Sequence, residues 1–165
     1  VAEADQAAPY AEAAADDLRA AAAAGAAFSG ADGAHDPVQL DDLSAELAGE
    51  LILLLRPRLA RCFEDVDNDV DELTDRLRAC YREWKTQRIV EVTRHYVVAA
   101  FNRGQFAALP TGTNLRWVVD HSGQPCPDAE DNALAGPVAK GEAFPTGHCT
   151  APAHPGCRCL VVPVP

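Results

Sequence analysis

The chain has no methionine among its 165 residues and opens on Val1. That pairing leads us to expect a natural start elsewhere, through processing or in a longer protein. Long apolar runs are also missing. Leu51 to Leu55 and Tyr96 to Phe101 fall far short of the roughly 20 residues needed to span a bilayer, so no membrane association is expected. The first residues are alanine-rich and acidic rather than basic and then apolar, which is not the pattern of a secretory signal. Basic residues are scarce early on: residues 1–50 hold eleven acids and only Arg19 as a base, whereas residues 51–165 hold fourteen acids and thirteen bases. Of the net charge of −11, the first part therefore carries −10 and the rest −1. Such a surface is repelled by phosphate backbones, so direct nucleic-acid binding is disfavoured. The acidic part can face a basic protein surface or simply be solvated.

The length suits one domain, or one small domain with an appendage. Residues 1–37 consist mainly of Ala, Asp and Glu, with few large apolar side chains to bury. Alanine favours helix, but a helix without an apolar face needs something to hold it. We expect an acidic, Ala-rich arm, partly helical and mobile in isolation. Breaks are expected at Phe28-Ser29-Gly30-Ala31-Asp32-Gly33 and at Asp36-Pro37.

Residues 38–109 read as a helical region. Asp41 or Asp42 can cap a first helix, and Leu40, Leu43, Leu47, Leu51, Leu54 and Leu55 recur on one face. Pro57 should end or kink it, with Arg58 to Asp65 continuing as helix. The acidic run Glu64 to Glu72 suggests a calcium loop, but counting from Asp65 the sixth and twelfth positions hold Val70 and Arg76 instead of the required Gly and Glu. A negatively charged helix start fits better. A long helix follows from Val70 to Arg103, with Val70, Leu73, Leu77, Cys80, Tyr81, Trp84, Ile89, Val92, Tyr96 and Ala99 as its buried stripe. Arg76, Arg78, Arg82, Lys85, Arg88 and Arg94 fall on its other faces, a solvated surface with local ion pairs to Glu83 and Glu91. Gly104 is placed to close this helix as its C′ residue. Cys62 and Cys80 read as core residues.

Residues 110–165 differ in kind. Four of the six cysteines and three of the five histidines lie between His121 and Pro163. Leu115 to Val119 and Cys159 to Val162 read as strands that pair antiparallel. Between them residues 127–150 form a long loop, with at most a helical turn near Asp128 to Asn132, and a loop of that length needs a restraint. Cys157 and Cys159 share one face if Arg158 is extended. Pro155-Gly156 can turn His154 back over that face, and Cys126 comes from the separate loop Gln124-Pro125-Cys126-Pro127. Cys126, His154, Cys157 and Cys159 would make a closed tetrahedral set typical of structural zinc, with His148 and Cys149 as spare candidates. Position 129, where a second knuckle cysteine would fall, is Ala129. A disulfide from Cys126 to a C-terminal thiol, or reduced thiols packed as small hydrophobes, are the alternatives. A reducing compartment fits the chain best and favours the metal.

Trp117-Val118-Val119-Asp120, Cys126-Pro127-Asp128, Leu134-Ala135-Gly136, Phe144-Pro145 and His154-Pro155-Gly156-Cys157-Arg158-Cys159 form a set. It resembles the phage Mu F-like head morphogenesis family, the minor head proteins of tailed bacteriophages. The helix through Val92-Thr93-Arg94-His95-Tyr96 to Gly104 is similar to the one leading into that family's domain, so the resemblance covers about Arg88 to Pro163. It singles out Trp117, Asp120, Gly136, Pro155, Gly156 and Arg158 as structural motif residues. It implies a structural minor head protein at or near the portal vertex, acting in head assembly, DNA packaging or ejection. Its implied partners are portal or major capsid protein, its implied state in the assembly is oligomeric, and its implied place is the virion head, assembled in the bacterial host cytoplasm. Ala129 departs from the pattern, since many relatives carry a second cysteine there.

The fold class expected is α+β: a mainly helical first two-thirds with a long helix, then a small two-stranded module clipped by Cys and His. No catalytic residues are expected. A catalytic zinc keeps an open position and usually takes His and carboxylate ligands, and Ser29, Ser44 and Ser122 occur in no nucleophile-elbow motif. Asp120, Asp128, Glu130 and Asp131 near His121, His148 and His154 leave a nuclease-like toxin as one alternative. A free-standing zinc-binding interaction module is the other.

Overall fold

The computed structural model describes residues 2–30, 38–64, 66, 69–122 and 126–164. The boundaries expected at Ala31 to Gly33 and Asp36-Pro37, positions Asp65, Asp67 and Asn68 of the acidic run, and the approach Gln124-Pro125 to Cys126 lie outside them. The class is α+β, with helices first and a small antiparallel sheet near the end. No helix among the described residues is long and apolar enough to cross a membrane.

The Ala-rich segment forms a 26-residue helix, α1 (Glu3–Phe28), whose buried residues are Leu18, Ala22, Gly25 and Ala26. The helix expected there in part is continuous over these residues and packed. Its partner is α4 (Ile89–Ala108) of the same chain, and small side chains make the packing possible. A Cβ on Gly25 would lie 1.9 Å from the Phe101 carbonyl oxygen, and one on Gly104 would lie 1.9 Å from that of Ala22. The two glycines thus let the backbones meet where larger residues would hold them apart. Gly104 is not the helix terminator its sequence position suggested. α4 runs on to Ala108 and stops at Leu109, whose extended backbone suits the residue before Pro110.

α2 (Asp41–Cys62) buries Leu43, Leu47, Leu51 and Leu55 as the leucine spacing requires, whereas Leu54 is exposed. Neither Asp41 nor Asp42 is the cap; Leu40 is, and both aspartates fall in the first turn. Pro57 lies inside α2 without ending it, flanked by buried Leu55 and Cys62 and half-buried Leu59. α3 (Val70–Glu83) begins at Asp69, whose carboxylate accepts from the amides of Asp71 and Glu72 at 3.0 Å each, so the acidic run does start a helix.

The long helix expected from Val70 is present and runs on to Ala108, with a π-helical turn, Trp84–Arg88, between α3 and α4. The inserted turn shifts the phase of the apolar stripe. Trp84, Val92, Tyr96 and Ala99 are buried, but α3 has no buried residue, and Val70 and Tyr81 are exposed. Some arginines pair along the helix as expected, Arg76 with Glu72 at 2.6 Å and Arg88 with Glu91 at 2.9 Å. Glu83 instead bridges to Arg58 of α2 at 2.6 Å.

β1 (Asn114–Val118) lies at the centre of a three-stranded sheet. It pairs antiparallel with β3 (Leu160–Val164), Trp117 opposite Val161, and with the short β2 (Val138–Ala139), Leu115 opposite Val138. The expected pair is present, and β2 is an addition to it. α5 (Pro127–Leu134) gives the long loop more structure than the single turn expected. Leu115, Trp117, Phe144, Ala151, Cys157, Cys159 and Val161 form a second core, separate from the helical one. At its centre Trp117 meets Phe144 edge-on, 5.2 Å between ring centroids.

Candidate metal centre

Three of the four expected ligands converge. The donor atoms of Cys126, His154 and Cys157 lie within 4.8 Å of one another, and Cys126 Sγ is 2.7 Å from His154 Nε2. Local backbone rules place each of them. Pro155 and Gly156 occupy the middle of a β-turn closed by the Cys157 amide donating to the His154 carbonyl at 3.0 Å. Gly156 has φ of +81°, the left-handed value that position requires, so the turn folds His154 back beside Cys157. Cys126 is the N-cap of α5, where its sulfur accepts from the Ala129 amide at 3.4 Å. Pro127 at the first helical position fixes the departure of the chain.

The chemistry of this set suits a soft or borderline divalent metal. Nδ1 of His154 lies 2.8 Å from the Pro155 carbonyl oxygen. A carbonyl only accepts, so Nδ1 carries the proton and Nε2 presents its lone pair toward Cys126, the tautomer a metal ligand needs. All six cysteines are free thiols.

Cys159, expected as the fourth ligand, stands outside the converging set. Strand alternation buries it with Cys157, its thiol pairs with the Cys157 thiol, and its carbonyl accepts from Asn102 Nδ2 at 3.4 Å. Burial pushes the Cys159 thiol up, opposed by the Asp120 amide, with the Cys157 thiol adding to the rise. Neither spare candidate takes its place. His148 Nδ1 faces the Thr146 hydroxyl at 2.9 Å, and Cys149 is exposed near the Gly141 carbonyl.

The other motif residues frame the centre. Asp120 accepts from Arg158 Nε at 2.7 Å and from the Ser122 amide at 2.8 Å, while Arg158 Nη2 donates to Ser122 Oγ at 2.9 Å. Ser122 first, then Arg158, hold the Asp120 carboxyl below its ordinary range. Trp117 is in the module core, and Gly136 follows the α5 C-cap with φ of +76°. His121, Asp128, Glu130 and Asp131 join no metal-ligand group among the described residues.

Sequence reasoning missed the far wall. Glu91, Arg94 and His95 of α4 line a cleft of about 760 Å³ together with Cys126, His154, Cys157, Cys159 and the Asp120–Arg158 pair. Glu91 and His95, four apart on one helix, were a readable signal that the solvated-face interpretation absorbed. His95 is half-buried and burial lowers its pKa, with Glu50 opposing and His154 adding to the fall. Comparison of the chain with protein-family models, curated proteins and solved structures finds no match.

Proposed function

We propose that the chain is a structural minor head protein of a tailed phage, working at or near the portal vertex, and that Cys126, His154 and Cys157 hold a zinc ion. The observation that carries this reading is the joint use of one motif set. His154 and Cys157 from the terminal HPGCRC meet Cys126 from the upstream CPD, while Arg158 of the same motif pairs with Asp120. Residues that resemble a single family pattern therefore serve a single small module. Zinc suits two thiolates and an imidazole, and it supplies the restraint that joins the loop before α5 to the segment before β3. The module would act as a rigid docking knob. The exposed acids Asp5, Glu12 and Asp16 fall on one side of α1 and offer negative charge to a basic portal or capsid surface.

The test is co-purification of the chain with portal and capsid proteins from virions, beside DNA binding by the purified chain at physiological salt. Association with the vertex proteins and no DNA binding is the expected result. DNA binding or cleavage without vertex association would overturn it in favour of a nuclease-like toxin. Neither association would leave a free-standing zinc module.

A further inference from the structure

We infer that α3 is a docking surface for a second copy of this chain, and that two α3 helices pair antiparallel along a seam of Val70, Thr74, Leu77 and Tyr81. The seam lies on the helical part of the chain and is independent of the metal centre.

Alone among the described α-helices, α3 buries no residue. Its sequence nevertheless carries an apolar stripe, and such a stripe ordinarily turns toward a core. Val70 is 73% exposed and Tyr81 49%. Leu73 and Leu77 are half-buried and join neither apolar core, and of α3 only Cys80 reaches the margin of the helical one. α2 covers one edge of the stripe, where Arg58 bridges to Glu83 at 2.6 Å. The edge left open is the seam. Its residues are spaced by four, three and four positions, the alternation by which one helix packs along another.

Charge selects the occupant. Along the flank of the seam away from α2, Asp71 and Asp75 come first and Arg78 and Arg82 follow, all four exposed. On the opposite flank the charges are already engaged: Arg76 donates to Glu72 and to the Glu64 carbonyl at 2.6 Å each. A parallel copy would set acid beside acid and base beside base. An antiparallel copy sets Asp71 and Asp75 of one chain beside Arg78 and Arg82 of the other, and the two-fold axis repeats the match. The apolar layers close about the same axis. Val70 and Tyr81 share their midpoint in the chain with Thr74 and Leu77, so Val70 meets Tyr81 and Thr74 meets Leu77 on both sides. Asp75 and Arg78 pair within the helix at 3.3 Å, but both side chains are largely exposed, and such a pair is weak enough to exchange.

Sedimentation equilibrium of the full reduced chain tests the pairing. The expected result is a monomer–dimer equilibrium that Val70→Glu and Tyr81→Glu each shift to monomer. Two charge-reversed chains make the sharper test, one with Asp71→Arg and Asp75→Arg, the other with Arg78→Asp and Arg82→Asp. Each alone should dimerise about tenfold or more weakly than wild type, and an equimolar mixture should recover the dimer, because every charge then meets its opposite. A wild type that stays monomeric at all concentrations would overturn the pairing and leave the seam to a different protein. A dimer indifferent to Tyr81→Glu would place the contact elsewhere. Reversed chains that associate as wild type, or that fail to recombine on mixing, would contradict the antiparallel match.

Discussion

Asn102 of α4 and Val161 of β3 are joined by a buried hydrogen bond, the Val161 amide donating to Asn102 Oδ1 at 3.4 Å. The same side chain donates from Nδ2 to the Cys159 carbonyl at 3.4 Å and to the Val98 carbonyl at 2.9 Å. Asn102 is fully buried, so one amide group fastens the strand that follows the metal centre to the helix that forms the far wall of the cleft. Asn102→Ala would strand a donor and an acceptor in the interior. We expect a loss of about 1–3 kcal/mol in denaturant unfolding. Asn102→Asp should also destabilise, because a carboxylate cannot donate to Cys159. Wild-type stability in both variants would contradict the fastening role.

The crossing of α1 over α4 makes a sharper prediction. Gly25→Ala and Gly104→Ala each drive a methyl into a facing carbonyl, and each should cost about 1–3 kcal/mol as helices forced apart. Gly49→Ala is the control. Its Cβ would meet nothing within 4 Å, and replacing a mid-helix glycine by alanine gains about 0.8–1 kcal/mol. Thermal melting of the three variants should therefore move in opposite directions. A common direction would contradict the close approach.

That crossing also shows where the sequence was silent. Leu40, Leu43, Leu47, Leu51 and Leu55 announce α2 because large side chains at helical spacing have few other uses. α1 has almost none, and its contact is built from alanines and a glycine that look like an absence of packing until the partner backbone is known. The same limit applies at the centre. The Pro155-Gly156 turn and the pairing of β1 with β3 follow from local chemistry and alternation, and they carried His154 and Cys157 correctly. The Cys159 carbonyl is held by Asn102, fifty-seven residues away in the chain, and local spacing does not contain that contact. The π turn at Trp84–Arg88 likewise hides in a stripe that reads as one continuous helix.

Acid pH should weaken the tie between the start of α2 and α4. Arg103 Nη1 donates to both carboxylate oxygens of Asp42, at 2.7 and 2.6 Å. That hydrogen bond holds the Asp42 carboxyl below its ordinary value, with burial opposing. A carboxylate lowered in the folded state stabilises above its unfolded value, near 3.9, and loses that contribution as pH falls through the folded value. The pair is substantially exposed, so at neutral pH Asp42→Asn should cost only about 0.2–1 kcal/mol. The gap between wild type and variant in urea unfolding should shrink as pH falls below the ordinary carboxylate range. An unchanged gap across that range would contradict the ionic origin.

The turn that carries His154 beside Cys157 should be sensitive to its glycine. Gly156→Ala places a Cβ on a left-handed residue, a backbone strain of order 1–3 kcal/mol. The module should lose metal affinity by a factor of roughly ten or more, because the energy is spent on holding two ligands together. Competition with a chromophoric chelator measures it. Affinity equal to wild type would mean the ligands converge without the turn.

The most direct measurement is the metal content of the purified, reduced chain, with Cys157→Ser and Cys159→Ser beside it. The account predicts one zinc ion per chain in the wild type and in Cys159→Ser, and none in Cys157→Ser. A metal-free wild type, with thiols that react only after added reductant, would contradict it and make the Cys126–Cys157 contact a disulfide.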